Sequence, residues 1–265
     1  MIDGETVRLD DGKEIRLAAI VAPRARDAGA AAGQWPLETA AREALAALVL
    51  GRTVSLAFTE RRDDRYGRVV AHLFSDGPAG RIWVQQKLVH DGHVRVHPAP
   101  GQADCINDLL AEERDARGAS RGLWREAAYQ IRPGDRPTEL ARYAGTLQLV
   151  SGRVEKVSPL QSIIILDLAD AEPQRPDRAH SNRSGARVTW RRSATVLPGA
   201  VDPRAIEQRE VLVRGWVTAR SNRPEIEVVS AGQIELLGEV PADLSAAARS
   251  RKRKHPATEP PGDRN

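Results

Sequence analysis

The sequence has few of the residues that form disulfides, membrane spans or zinc sites. Cys105 is the single cysteine in 265 residues, so an intrachain disulfide is excluded and we expect a buried, apolar side chain there. No run of 18 apolar residues occurs, which predicts no transmembrane helix and no membrane partner. No signal peptide is visible either. The histidines, which do not show the spacing of zinc ligands, include His72, His90, His93, His97 and His180.

Length and charge suggest two domains and give only weak evidence for a polyanionic partner. The chain exceeds one average domain. It carries 40 Lys and Arg against 36 Asp and Glu, a formal net charge of +4. Residues 239–265 lack apolar periodicity and include the basic run 249–254. We predict a disordered basic tail there, which either binds polyanions or serves only as a solubilising terminus.

The first half of the chain mixes strand and helix patterns. Short apolar runs bounded by Gly and Pro are typical of strands, whereas Ala, Leu and Val at helical spacing predict helices. Residues 24–36, rich in Ala and Gly, are expected to form a loop, and Trp124 to pack in the core. The predicted strands are 6–9, 15–21, 54–58, 69–74 and 94–96, and the predicted helices are 38–50, 84–91 and 105–117.

A charged hairpin connects two of these strands. It has the sequence Asp63-Asp64-Arg65-Tyr66-Gly67-Arg68 and presents Arg68 at the start of a strand. An arginine held on a rigid hairpin can bind a phosphate through two parallel hydrogen bonds. The alternative is an ordinary charged turn with a structural role only.

The second half predicts a small closed barrel, OB-like, at residues 144–238. Strand patterns recur at intervals typical of such barrels. The patterns are 145–154, 162–168, 186–190, 210–217, 224–229 and 233–237. The arginine-rich stretch 171–192 is either a nucleic-acid groove, with Arg187 and Trp190 as contacts, or a solvated insertion.

The expected boundaries divide the chain into four parts. Residues 1–128 form the first domain and 144–238 the second. Residues 129–143, which contain two prolines, are expected to be a linker, and 239–265 is the tail.

Several motifs within residues 1–125, taken in order, resemble the staphylococcal nuclease (thermonuclease) family. They are 3–9, 15–23, the hairpin, 83–85, 88–96 and Arg121-Gly122-Leu123-Trp124. The resemblance implies a mainly β (α+β) fold, with an N-terminal five-stranded OB-type barrel carrying helices. It also implies calcium-dependent cleavage of DNA or RNA. The second half resembles the small C-terminal domain that accompanies nuclease-like domains in some bacterial proteins.

The N-terminus departs from the family pattern. Met1 and Ile2 lead directly into a turn that the family precedes with a full strand. We therefore expect either a very short first strand or a longer N-terminus of the kind that carries a signal peptide. Members of the family are often exported, but this sequence leaves the compartment unknown.

The resemblance assigns catalytic positions residue by residue. Arg16 and Arg68 match the two arginines that stabilise the phosphate. Glu5 stands where the family has its first metal-binding aspartate, and it is a weak candidate ligand. Val21 stands at the second metal aspartate and Arg24 at the general-base glutamate. Valine has no ligand atom, and arginine cannot accept a proton at physiological pH.

Three functions remain open at this point. The first is a catalytically degenerate nuclease that binds single-stranded DNA or RNA without a cofactor. Its contacts would be Arg16, Arg24, Arg65, Tyr66 and Arg68 in the first barrel. The second is an active calcium-dependent endonuclease that uses Glu5 and a substitute base such as Asp27. The third is a protein-interaction scaffold, in which the arginines pair with neighbouring acids and stabilise the barrel.

Overall fold

The computed structural model describes residues 1–29, 35–77, 80–102, 104–169, 185–191, 203–220, 223–230 and 232–238. The predicted loop contacts at 171–184 and the predicted tail at 239–265 lie outside the described residues. No helix of the described part is long and apolar enough to cross a membrane.

A five-stranded sheet organises the first half of the chain. Its order is β1-β2-β5-β4, with β6 paired to the end of β5, and only the β2–β5 pair is parallel. The turn after β1 uses Gly12 at φ 85°, and the Asp11 carboxylate accepts the N–H of Lys13. The strands are β1 (Thr6–Arg8), β2 (Glu14–Leu17), β4 (Val54–Asp63), β5 (Val69–Gly77) and β6 (Gly80–Trp83), and a separate pair joins β3 (Ile20–Val21) to β7 (Arg95–Val96).

Three helices cover the first core. In α1, Ala41, Leu45 and Val49 are buried at a spacing of four residues, so one face of the helix packs on the sheet. Trp124 is buried, as predicted. Cys105 is exposed, contrary to the prediction, because it precedes the helix and the buried face begins at Ile106. The helices are α1 (Pro36–Val49), α2 (Val84–His90) and α3 (Ile106–Gly118).

Five strands of the second half close into a barrel. The ring runs β9-β10-β11-β13-β12 and closes by pairing β12 back to β9, with β11 and β13 parallel. This closed five-stranded ring is the predicted OB-type barrel. The strands are β9 (Leu147–Pro159), β10 (Ile163–Leu168), β11 (Arg187–Arg191), β12 (Glu210–Arg220) and β13 (Arg223–Val228), and β14 (Ile234–Leu236) extends the sheet beside β12.

The stretch predicted as a linker is packed structure. Within residues 129–143, β8 (Arg132–Pro133) pairs with β9, and α4 (Pro137–Leu140) places Leu140 in the core of the second barrel. Tyr129 is also buried. The prolines that suggested a free connection instead stand in a short strand and at the first turn of a helix, where a missing N–H is tolerated.

The two halves of the chain share a buried junction. Residues of β12 alternate between its two faces, as a strand requires. Val211, Val213 and Val217 belong to the core of the second barrel. Leu212, by contrast, packs with Leu123, Trp124 and other residues of the first half, and Arg214 hydrogen-bonds to that half. One strand therefore serves two cores.

Candidate functional site

The carboxylate of Glu5 forms the centre of the candidate site. Glu5 lies just before β1 and is 3% exposed. It accepts a hydrogen bond from the backbone N–H of Ala22. The Arg24 guanidinium lies 2.5 Å from one of its oxygens and the Arg16 guanidinium lies 3.2 Å away. The position that the family resemblance assigned to a metal ligand is thus held by two arginine cations.

Arg16 binds backbone groups within the first half of the chain. Its guanidinium donates to the carbonyl oxygens of Leu17 and Ile20, each at 2.7 Å. Its side chain is 16% exposed. Burial lowers the pKa of Arg16, and the nearby Glu5 carboxylate opposes that effect. Several of its donors are therefore engaged by the protein, which leaves fewer for a phosphate than the sequence suggested.

Arg24 is the more accessible of the two cations on Glu5. Its side chain is 37% exposed, and Asp3 lies 3.9 Å away. Burial disfavours the charge on Arg24, but Glu5, with smaller effects of Asp3 and Glu38, raises the pKa of Arg24. The residue at the family's general-base position is thus a fixed cation at the edge of the cleft.

Arg68 is positioned by its own hairpin. Its Nε and one terminal nitrogen each lie 2.7 Å from a carboxylate oxygen of Asp64. The other oxygen of Asp64 accepts the backbone N–H groups of Tyr66 and Arg68. Partial burial opposes the charge on Asp64, but these hydrogen bonds lower its pKa. Asp64 therefore shapes the turn and neutralises the arginine that the turn presents.

The three predicted phosphate-binding arginines do lie together. Arg16 and Arg24 share Glu5. Arg68 reaches the hydroxyl of Thr6 at 3.5 Å, and Thr6 lies opposite Arg16 in the sheet. These arginines therefore lie close together in a region that we call the cleft, and their guanidinium groups are paired with acids.

The hairpin presents an exposed surface of aromatic rings and arginines. Tyr66 is 67% exposed, with the guanidinium groups of Arg65 and Arg68 at 4.7 and 5.4 Å from its ring centre. Phe58 is 49% exposed, with the Arg62 guanidinium at 4.9 Å. We call these five residues the hairpin surface. The sequence reasoning missed Phe58 and Arg62, although an aromatic in a strand next to a run of arginines was a visible signal.

Of the stretch 171–192 predicted as a groove on the second barrel, the structure describes residues 185–191, which include Arg187 and Trp190. Trp190 is 6% exposed and belongs to the hydrophobic core of that barrel, so the prediction that it lines an exposed groove is wrong. It faces inward because it alternates with the outward Thr189 and Arg191 on β11. Arg187 lies 3.3 Å from Asp167 and is not part of the first cleft.

Asp27, the candidate substitute base, is buried in an ion pair. It lies in a 3-10 helix at 25–28 rather than in a flexible loop. Its carboxylate accepts from Arg95 at 2.8 Å and from the backbone N–H of Arg24 at 3.1 Å. The Arg95 and Asp27 side chains are both 2% exposed. Burial and the Asp27 charge raise the pKa of the neighbouring Tyr129. Asp27 therefore already has a cation as its partner.

The donor set at this site does not fit calcium. Calcium takes six to eight oxygen ligands. Here Val21 is a buried core residue, and the oxygens of Glu5 face two guanidinium groups and an N–H. Among the described residues, no group of three His, Cys, Asp or Glu could hold a metal ion. The same contacts satisfy Glu5 without a metal.

Comparison with known proteins finds a family that is similar to the first half of the chain. Residues 14–126 match the family model described as staphylococcal nuclease homologue. No curated protein matches the chain. The match spans β2 to the Arg121–Trp124 motif and includes Arg16, Arg24 and the hairpin. Residues 14–126 are therefore similar to the staphylococcal nuclease family.

Proposed function

We propose that this protein binds single-stranded DNA or RNA and does not hydrolyse it. The observation that carries the proposal is the Glu5–Arg24 pair: a guanidinium occupies the place of the general base and lies 2.5 Å from the carboxylate that the family uses for its calcium. An arginine cannot activate water. Loss of a general base alone costs about two to four orders of magnitude in rate.

Binding is supported by the hairpin surface. Nonspecific single-strand binders combine arginines that contact the backbone with exposed aromatic rings on which bases stack. Tyr66 and Phe58 supply such rings, and arginines lie within 5.4 Å of both. Arg24 and Arg68, at the edge of the cleft, would contact phosphates by exchanging part of their contacts with Glu5 and Asp64.

Labelled single-stranded DNA and RNA, incubated with the protein in calcium or in chelator, test the proposal. Retention and cleavage are followed together at several salt concentrations. We expect binding whose logarithm of affinity falls linearly with the logarithm of salt concentration. We expect no cleavage with calcium or with chelator. Calcium-dependent cleavage that Arg68→Ala abolishes would instead identify an active nuclease.

Variants of the hairpin locate the binding surface. Tyr66→Ala is expected to weaken binding by about 5- to 100-fold, the range for loss of one stacked base, and Tyr66→Phe to retain most of the affinity. Arg52→Ala is the matched control, because Arg52 is exposed and donates to the carbonyl of Asp76 at the opposite end of β5 from the hairpin. Equal nucleic-acid affinities for the wild-type protein and the three variants would contradict binding at the hairpin surface.

A second candidate function, a protein-interaction scaffold, is favoured by the ion pairs. Glu5 pairs with Arg16 and Arg24, and Asp64 pairs with Arg68, so these arginines already stabilise the barrel. Absence of both retention and cleavage would favour this function over nucleic-acid binding.

A further inference from the structure

The junction between the barrels holds a partly exposed tryptophan in a fixed orientation. Trp216, on β12, donates from its indole Nε1 to Nε2 of His97 at 3.3 Å, and the two rings meet edge to face at 89°. His97 is itself anchored, because its backbone N–H donates to the carbonyl of Ala19. A hydrogen bond at the ring edge leaves the ring faces available for stacking.

An exposed arginine lies over this ring. The guanidinium carbon of Arg26 is 5.4 Å from the centre of Trp216. Arg26 belongs to the 3-10 helix at 25–28, which begins directly after Arg24. One short helix therefore places Arg24 beside Glu5 in the cleft and Arg26 over Trp216 at the junction.

His97 lies between the surroundings of Arg16 and the second barrel. Arg16 lies close enough to His97 to act on its charge, and His97 contacts Trp216. The other cations near His97 are neutralised within the protein. Arg95 pairs with Asp27, and Arg214 pairs with Glu113. Arg26, by contrast, is exposed and has a planar guanidinium on which a base can stack.

We propose that Trp216 and Arg26 form a base-stacking subsite, so that a single strand bound in the first-barrel cleft continues onto the second barrel. This inference rests on the proposed nucleic-acid binding. The arginines of the cleft would contact phosphates, and the next unstacked base would lie against the Arg26–Trp216 stack. The second barrel thus lengthens the footprint, and its contribution requires a strand longer than the cleft.

The experiment compares short and long oligonucleotides. One OB barrel covers about 4 to 16 nucleotides, so oligothymidylates of about 4 and about 16 nucleotides serve as probes. Affinities are measured for the wild-type protein, Arg26→Ala, Trp216→Leu and Trp216→Phe. The charge-matched control is Arg153→Ala, since Arg153 is exposed on β9 opposite Glu210, six residues along β12 from Trp216. Circular dichroism and thermal melting establish that each variant is folded.

We expect Arg26→Ala and Trp216→Leu each to weaken binding of the long probe by about 5- to 100-fold, the usual range for loss of one stacked base. Trp216→Phe, Arg153→Ala and every short-probe measurement should stay near wild type. A long-probe affinity unchanged in Arg26→Ala and in folded Trp216→Leu, while Tyr66→Ala still weakens binding, overturns the subsite and leaves the proposed function standing. A wild-type protein that binds neither probe overturns both.

Discussion

At the residue scale, Arg24 determines part of what the Glu5 carboxylate contacts. A carboxylate that is 3% exposed is costly unless it is paired, and here two guanidinium groups and an N–H provide the pairing. Arg24 is both a residue that is incompatible with general-base chemistry and an ion-pair partner of Glu5. The contacts that occupy the Glu5 oxygens are therefore also contacts that stabilise the fold.

This account predicts unequal effects of removing the two partners. Glu5→Ala leaves Arg16 buried without its carboxylate, and we expect it to cost about 2–4 kcal/mol of unfolding free energy. Arg24→Ala leaves Glu5 paired with Arg16 and removes a side chain that is 37% exposed, so we expect about 1 kcal/mol. Urea denaturation measures both. A larger cost for Arg24→Ala would mean that Arg16 contributes little to the pairing.

His97 predicts a dependence of stability on pH. Burial, together with the charges of Arg16, Arg95 and Arg214, lowers its pKa from 6.5 to about 4. Between those values the unfolded chain binds a proton that the folded chain does not. Stability should therefore fall as the pH drops from about 6.5 to about 4, by up to about 3 kcal/mol from this residue.

The variant His97→Gln isolates that contribution. Burial also lowers the pKa of His72 and of His93, so the wild-type curve contains their effects as well. The difference between wild type and variant in urea denaturation at pH 7 and pH 4.5 reports His97. Curves that stay parallel across this range would contradict a lowered pKa at His97.

At the scale of elements, hydrophobic periodicity predicted the strands and helices. It could not predict which charged side chains pair with one another. The predicted strand 210–217 and helix 105–117 correspond to β12 and α3. Within these two elements, the charged residues Arg214 and Glu113 pair with each other. They are both 0% exposed and lie 2.6 Å apart. The pair joins positions 101 residues apart in sequence, which no local pattern reveals.

The same limit applies to the candidate site. The motifs predicted that Arg16, Arg24 and Arg68 converge, and in the structure these three arginines lie close together. That Glu5 and Asp64 neutralise these arginines depends on rotamers set by packing, so the alternatives of free and paired cations could not be separated beforehand. The prediction for Trp190 was wrong for a related reason, because alternation along a strand does not show which face of the sheet is buried.

The buried Arg214–Glu113 pair predicts non-additive effects of mutation. Arg214 also pairs with Glu235 and donates to the carbonyl of Val96 at 3.2 Å. Arg214→Leu leaves Glu113 buried without its cation, and Glu113→Leu has the converse effect, so each should cost about 3–5 kcal/mol. The double variant should cost clearly less than the sum of the two single variants. Urea denaturation of all four proteins measures this coupling, and strict additivity would contradict it.

At the scale of the whole molecule, the two barrels share too much buried structure to be independent. Arg95 of the first barrel donates to the carbonyl of Leu147 in the second at 2.5 Å, and Arg214 reaches back to Glu113. Trp124 and Tyr129 pack with Leu149 and Leu212 in a cluster built from both halves. A polar and apolar junction of this kind couples the unfolding of one barrel to that of the other.

We therefore expect the full chain to unfold in one cooperative transition, with calorimetric and van't Hoff enthalpies that agree. A fragment of residues 1–128 would expose Trp124 and leave Glu113 buried without its arginine, so it should melt far lower than the full chain or not fold. Scanning calorimetry of both proteins decides the matter. Two separate transitions in the full chain, or a fragment with the stability of the whole, would show that the junction contributes little and that the barrels are independent domains. A single transition would mean that variants of the cleft are best interpreted with the second barrel in place. The 3-10 helix that follows Arg24 and contains Arg26 contacts that junction through Asp27 and Arg95.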